Sequence, residues 1–270
     1  MAINKITFLF CILLTILISR NIHTFAENTP VIDISGALSK AHEFYCQREN
    51  INRLKSAIKL YKKILGQLHN SGETSCKITS EIHTELSKCY FKMASYHLQT
   101  NNAKALFYKT GEKHGKKAIA KNPENVGGYY WMVQNLGQHG SINKLYFLNR
   151  KGEFEKALEK AETLDNPNEP YDYSGIYRTL AAYYTPRFLW GNMDKALDYA
   201  KKMEDDTHYL CNLVILAEIY EKIDKDKSQE YINRIIKANV AQFPETQFEN
   251  TIEQQEVIQK WGGARQSIKN

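Results

Sequence analysis

The sequence lacks the patterns on which many enzymes and nucleic-acid-binding proteins depend. It has no glycine-rich phosphate loop and no nucleophile elbow of the G-x-S-x-G type. Its formal net charge is only +6, and the basic residues are scattered along the chain. Alternation of apolar and polar positions never persists beyond a few residues, so strands have little support. These absences argue against an enzyme, a bound cofactor, a nucleic-acid partner and a β-fold.

Metal-binding patterns are equally sparse, since none of the five cysteines forms a CxxC pair. The segment His42 to Cys46, HEFYC, imitates the metalloprotease HExxH motif with cysteine in the last place. That spacing puts two ligands on one helical face, but no third ligand accompanies them. We therefore expect an ordinary amphipathic helix here and no metal site.

One long apolar run stands at the N-terminus. Lys5 precedes the run from Ile6 to Ile18, and Thr24-Phe25-Ala26 supplies a small-x-small site. Together they predict a secretory signal over residues 1–26, cleavage after Ala26, and a periplasmic or secreted mature chain. The alternative is an uncleaved anchor, although this run is short for a membrane span of about 20 residues.

The cysteines bear on lipidation and on disulfide formation. Cys11 follows Phe8-Leu9-Phe10, where a lipid-attachment box needs small residues, so the pattern argues against a lipoprotein. The other four are Cys46, Cys76, Cys89 and Cys211. An oxidising compartment favours disulfides, and first helices of successive repeats can bring Cys46 near Cys89. The alternative is four free, small side chains.

The most informative stretch runs from Gly111 to Gly137. Small residues recur there at helical spacing, as Gly111, Gly115 and Ala118, and Pro123 then ends the helix. The next helix begins with the offsets of a tetratricopeptide repeat, at Tyr130, Leu136 and Gly137. A single helix pair of this kind cannot bury its apolar face, so we expect neighbouring pairs to stack along the chain.

Similar offsets recur and predict five helix pairs in one domain over residues 27–270. The paired segments are 37–46 with 53–65, 79–98 with 105–121, 126–137 with 154–164, 177–184 with 194–203, and 213–220 with 228–238. A polar helix at 246–261 suits the cap that the open end of a stack requires. The predicted fold is all-α: a tetratricopeptide-like solenoid of helical hairpins, with about five degenerate repeats plus a C-terminal capping helix.

Several motifs between residues 105 and 239 resemble one family of such proteins. They are the helix end at Ala118 to Pro123, Tyr130-Trp131 followed by Asn135-Leu136-Gly137, Tyr171-Asp172-Tyr173 leading into Gly175-Ile176-Tyr177-Arg178, and the segment from Tyr183 to Ala200. In these motifs the chain is similar to the T-component family of tripartite ATP-independent periplasmic (TRAP) transporters. The resemblance implies a non-enzymatic periplasmic accessory that can form a homo-oligomer and dock the transporter's solute-binding protein. It also implies that hydrophobic ligands can pass through the fold.

Two other functions remain open from the sequence. The chain could be a general periplasmic scaffold for protein–protein assembly, or a carrier of a hydrophobic small molecule. Genome neighbourhood separates the first from a transport accessory, and ligands retained on purification test the second.

Candidate binding residues follow from the positions of a first helix that face the concave groove of a stack. Consecutive repeats place Trp131, Gln138, Arg178 and Glu218 there, while a shift of one residue would place Trp131 in the core. Arg178 lies near Tyr173 and Tyr177 and suits a two-pronged contact with an anionic ligand or partner. The alternative for Arg178 is an ion pair with Asp172 or Glu218.

Overall fold

The computed structural model describes residues 33–70, 75–186 and 191–262, which form twelve α-helices and no strand. The predicted signal at residues 1–26 lies outside this described part. None of the described helices is both long enough and apolar enough to cross a membrane.

The helices follow one another as five hairpins and a terminal helix. The first two hairpins are α1 (Ile34–Cys46) with α2 (Ile51–Asn70) and α3 (Cys76–Tyr96) with α4 (Asn101–Lys121). The third joins α5 (Val126–Ile142) to α7 (Lys151–Leu164) through the short α6 (Lys144–Leu148). The last two are α8 (Tyr171–Tyr184) with α9 (Met193–Lys201) and α10 (Leu210–Tyr220) with α11 (Lys225–Lys237). A 3₁₀ turn (Val240–Gln242) leads into α12 (Gln247–Trp261), and the predicted architecture is confirmed.

Local sequence fixes where many of these helices begin. Side-chain oxygens accept hydrogen bonds from free N–H groups of the first turn at Ser75, Thr100, Asn125, Asn143, Asn192 and Asp224. Asn125 also ties two hairpins together, because its Nδ2 donates to Ser80 Oγ at 2.8 Å and to Thr84 Oγ1 at 2.9 Å. The same residue therefore starts α5 and sets its position against α3.

Glycines on α4 and α5 let these helices approach closely, as the sequence predicts. A Cβ atom on Gly115 would lie 2.8 Å from Met132 Cα and 2.9 Å from Met132 N. A Cβ on Gly128 would lie 3.1 Å from Ala118 Cβ. Because these neighbours are backbone or short side-chain atoms, the interface has no room for larger residues.

The stack curls until its two ends meet. Neighbouring first helices α3, α5, α8 and α10 contact one another in turn, and we call the side of the stack that they form the inner surface. Across this surface, the Tyr96 hydroxyl of the second hairpin lies 3.3 Å from the Tyr209 hydroxyl just before α10. At this point two aromatic side chains from distant hairpins meet across the inner surface.

Candidate partner-binding groove

The backbone at the start of α8 is strained. Asp172, Tyr173 and Ser174 have φ angles of 51°, 54° and 59°, all in the left-handed region. No other non-glycine residue in the described ranges has a positive φ. Left-handed conformation costs about 1–2 kcal/mol for each residue with a Cβ atom, so surrounding contacts must hold this turn in place.

Arg178, a residue that is only 7% exposed, supplies much of that support through its guanidinium. Nη1 donates to the Tyr173 carbonyl at 3.0 Å and to Asn212 Oδ1 at 2.8 Å. Nη2 donates to the Tyr130 hydroxyl at 2.8 Å and to Asp172 Oδ2 at 3.1 Å. The structure therefore shows the second alternative, in which Arg178 forms an ion pair with Asp172. All of these contacts of the Arg178 guanidinium are with groups of the protein itself. Arg178 acts as a positioning residue for the strained turn.

Two further hydrogen bonds fix the ends of the turn. The Tyr130 hydroxyl donates to Asp172 Oδ2 at 2.7 Å, and the Ser174 hydroxyl donates to Asp206 Oδ2 at 2.8 Å. Since Tyr130 lies on α5 and Asp206 follows α9, the turn is held from the hairpins on both sides.

The strained turn forms one wall of an open groove of about 800 Å³ on the protein. The other walls come from α3 and from the connection between α9 and α10. Carboxylates dominate the lining, as Glu85, Glu169, Asp172, Asp205 and Asp206, beside Lys88, Lys202 and His208. The side chains of Glu169, Asp205, Lys202 and His208 are exposed. The ionisable side chains of the lining are mainly acidic, which suits a basic surface on a partner.

Lys88 lies deeper in the groove than the other basic residues. Its Nζ is 3.9 Å from Glu85 Oε2 and 4.4 Å from the centroid of the Tyr45 ring. Burial opposes the charged form, but Tyr45, Glu85 and Asp172 outweigh it and raise the pKa of Lys88 well above its ordinary value. Glu85 Oε2 is itself buried without a hydrogen-bond donor. This acceptor is enclosed by the protein, and its nearest cation is Lys88 at the longer ion-pair distance.

The residues predicted to bind do not converge on one surface. Trp131 is 1% exposed, and its Nε1 donates to the Tyr171 hydroxyl at 3.1 Å, so the core alternative describes its position. Gln138 is exposed on α5, and Glu218 Oε1 lies 3.2 Å from Lys260 Nζ. Tyr177 is buried and stacks on Tyr199 with a centroid distance of 6.5 Å.

Of the six predicted residues, only Tyr173 lines the groove. Arg178 does not line it but donates a hydrogen bond to the Tyr173 carbonyl. Sequence reasoning missed Glu85, Lys88, Glu169, Asp205 and His208. These side chains come from three separate segments, and no local spacing connects them. Only the YDY motif at residues 171–173, already part of the family resemblance, marked the region.

The four cysteines in the described ranges are free thiols. Cys46 is exposed at the end of α1, whereas Cys89 is fully buried in α3. The structure therefore does not contain the predicted Cys46–Cys89 bond, because one thiol faces solvent while the other is enclosed in the core. His42 Nε2 lies 3.5 Å from Cys46 Sγ, and no described cluster offers three metal-ligating side chains.

Comparison with known proteins supports the fold class. No protein-family model and no curated protein matches the chain. Among solved structures, it is similar to a thermophilic tetratricopeptide-repeat protein of Thermus thermophilus. The TM-score is 0.51, the sequence identity is 14%, and the match covers 83% of this chain and 98% of that one. At this identity the likeness shows the fold alone: the chain has a tetratricopeptide-like helical fold.

Proposed function

We propose that this protein is a non-enzymatic accessory of a TRAP-type transporter and that its groove receives the periplasmic solute-binding protein. The observation that carries the binding role is the turn Asp172 to Ser174, three consecutive left-handed non-glycine residues in a groove wall. Such strain persists only where surrounding contacts enforce it, and it clusters at ligand clamps. The family resemblance in the YDY segment and its neighbours supplies the partner, and the predicted leader supplies the compartment.

The character of the lining favours a protein partner over a hydrophobic small molecule. Small-molecule pockets are mostly apolar and bury most of the ligand, whereas this groove is open and lined with charged side chains. Surface carboxylates guide association and select partners more than they add affinity. We therefore rank docking of a protein above carriage of a lipophilic ligand.

The test uses the mature full-length chain and a purified TRAP solute-binding protein from the same organism. Glu169 and Asp205 are exposed groove residues, so the double variant E169K/D205K reverses charge with little expected effect on folding. The matched control D198K/E230K makes the same change at exposed positions outside the groove. We expect about tenfold weaker binding, near 1.4 kcal/mol, for the groove variant and none for the control.

Affinity capture from the envelope fraction separates the alternatives. If no solute-binding protein is retained, the transporter assignment fails. Groove-dependent retention of an unrelated protein would support the general scaffold. Mass spectrometry showing a lipophilic molecule in the purified protein, without any partner, would favour the carrier.

A further inference from the structure

Helix α12 joins the two ends of the stack. Its C-terminal half belongs to the last hairpin, since Val257 packs in that core and Gln254 Nε2 donates to the Ile235 carbonyl at 2.9 Å. Its first turns also contact the last hairpin, where Asn250 Oδ1 accepts from the Leu210 N–H at 2.8 Å, and they reach the first two hairpins through Phe248 and Glu249. The apolar cores at the two ends share no residue. Apart from ring contacts such as that between Phe248 and Tyr96, the junction consists of hydrogen bonds and ion pairs, which is the kind of contact that can separate without unfolding either end.

Two cations surround the carboxylate of Glu249. Arg48, in the connection between α1 and α2, donates from Nε to Oε1 at 2.7 Å and from Nη2 to Oε2 at 2.6 Å. Its Nη2 also donates to the Glu245 carbonyl. Lys92 on α3 places Nζ 2.9 Å from Glu249 Oε1. The side chains of Arg48, Lys92 and Glu249 are 9%, 7% and 1% exposed.

This arrangement keeps Glu249 ionised. Burial opposes the charged form, but Lys92 and Arg48 prevail and lower the pKa of Glu249 to about 2. The converse matters more: with Glu249 withdrawn, Arg48 and Lys92 would lose the one carboxylate that both of them contact directly. A buried charge that loses its partner is strongly unfavourable, so the site requires either Glu249 or another anion.

The inner aromatic surface lies directly behind the triad of Arg48, Lys92 and Glu249. Lys92 Nζ is 5.7 Å from the Trp131 centroid and 5.6 Å from the Tyr209 centroid. Phe248 packs edge-on against Tyr96 with centroids 5.4 Å apart. While the triad is intact, this surface is covered.

We propose that Arg48 and Lys92 form a carboxylate-binding site which Glu249 occupies within the chain, and that this contact is a releasable clasp closing the inner surface. A carboxylate-bearing segment of a partner replaces Glu249 by supplying the same charge to the same two cations. That last consequence rests on the proposed partner-binding function. The clasp itself does not, and its test needs no partner.

Two native thiols report on the clasp. Cys211 on α10 is partly exposed, and burial raises its pKa to about 12 despite the nearby cations Arg178 and Lys92. Cys89 is fully buried in the N-terminal core. Opening the clasp hydrates the inner surface and speeds alkylation of Cys211, whereas alkylation of Cys89 requires the core to unfold.

The experiment compares iodoacetamide labelling of the full-length mature chain and its Glu249→Ala variant, resolved by site with mass spectrometry. We expect Cys211 to react at least about tenfold faster in the variant, with Cys89 unchanged. Sodium acetate, compared with sodium chloride at equal ionic strength, should slow Cys211 in Glu249→Ala by filling the vacated site, and should leave the wild type unaffected. Glu256→Ala removes an exposed carboxylate of α12 and serves as the control.

A second variant covers the case in which Glu249→Ala fails to fold, which rapid labelling of Cys89 would reveal. Arg48→Lys keeps the charge but loses the two-pronged contact, and we expect a Cys211 rate between those of wild type and an open clasp. Unchanged Cys211 rates in a folded variant would overturn the clasp. Equal rates in acetate and chloride would overturn the carboxylate-binding site.

Discussion

Replacing Gly115 with alanine should destabilise the protein even though alanine is the better helix former. The new Cβ would lie 2.7 Å from Met132 Cβ, 2.8 Å from its Cα and 2.9 Å from its N. Two of these are backbone atoms, so no rotamer change relieves the overlap, and α4 must move away from α5 by roughly 1 Å to restore ordinary contact.

The size of the effect follows from two opposing contributions. Forcing the helices apart costs about 1–3 kcal/mol, as for other overpacked cores. Replacing glycine within a helix returns roughly 0.5–1 kcal/mol. The difference spans about 0–2.5 kcal/mol, and because the overlap is with backbone atoms we expect the upper part of that range, a net loss of about 1–2.5 kcal/mol in the free energy of unfolding.

Gly66 in α2 provides the matched control, because a Cβ there meets no atom within 4 Å. The same substitution at Gly66 should stabilise the protein by about 0.5–1 kcal/mol. Urea denaturation followed by circular dichroism measures both variants, with m-values checked against the wild type. A Gly115→Ala protein as stable as wild type would refute the close α4–α5 contact, and a loss at both sites would refute packing as the cause.

Three further predictions concern the strained turn, a buried histidine pair and the thiols. Tyr173→Gly should be about 1 kcal/mol more stable than Tyr173→Ala in urea denaturation, because both lose the ring but only glycine adopts φ 54° freely; the reverse order would contradict a left-handed turn. Burial lowers the pKa of His83 to about 4 and of His114 to about 3, and their Nδ1 atoms lie 2.9 Å apart. The unfolded chain therefore takes up these protons first, so stability present above about pH 6.5 should fall by on the order of 2 kcal/mol for each histidine by pH 5, measured as a shift in the urea midpoint; His83→Gln should flatten this slope, and an unchanged slope would exclude the pair as its origin. Maleimide should modify Cys46 but leave Cys89 unmodified, since burial raises the pKa of the latter; if Cys46 were also blocked until a reductant was added, a disulfide would be indicated instead.

The sequence by itself determined the helices and their order. Helical periodicity, caps such as Asn125 and the stop at Pro123 act over a few residues, and each is visible in the local chain. Gly111 and Gly115 also indicated a close helix contact, because small residues four positions apart leave room on one helical face for a second helix. The hairpin stack follows, since each pair needs a neighbour to cover its apolar face.

Only the tertiary structure decided which side chains meet on the inner surface. The curvature of a helical stack sums small rotations between hairpins, and no local pattern encodes that sum. In the folded chain Trp131 lies in the core, and Arg178 holds the strained turn in place. The curvature also brought Glu249 to Arg48 across 201 positions of sequence. The groove and the clasp arise from this long-range geometry, whereas the helices that carry them arise from local chemistry.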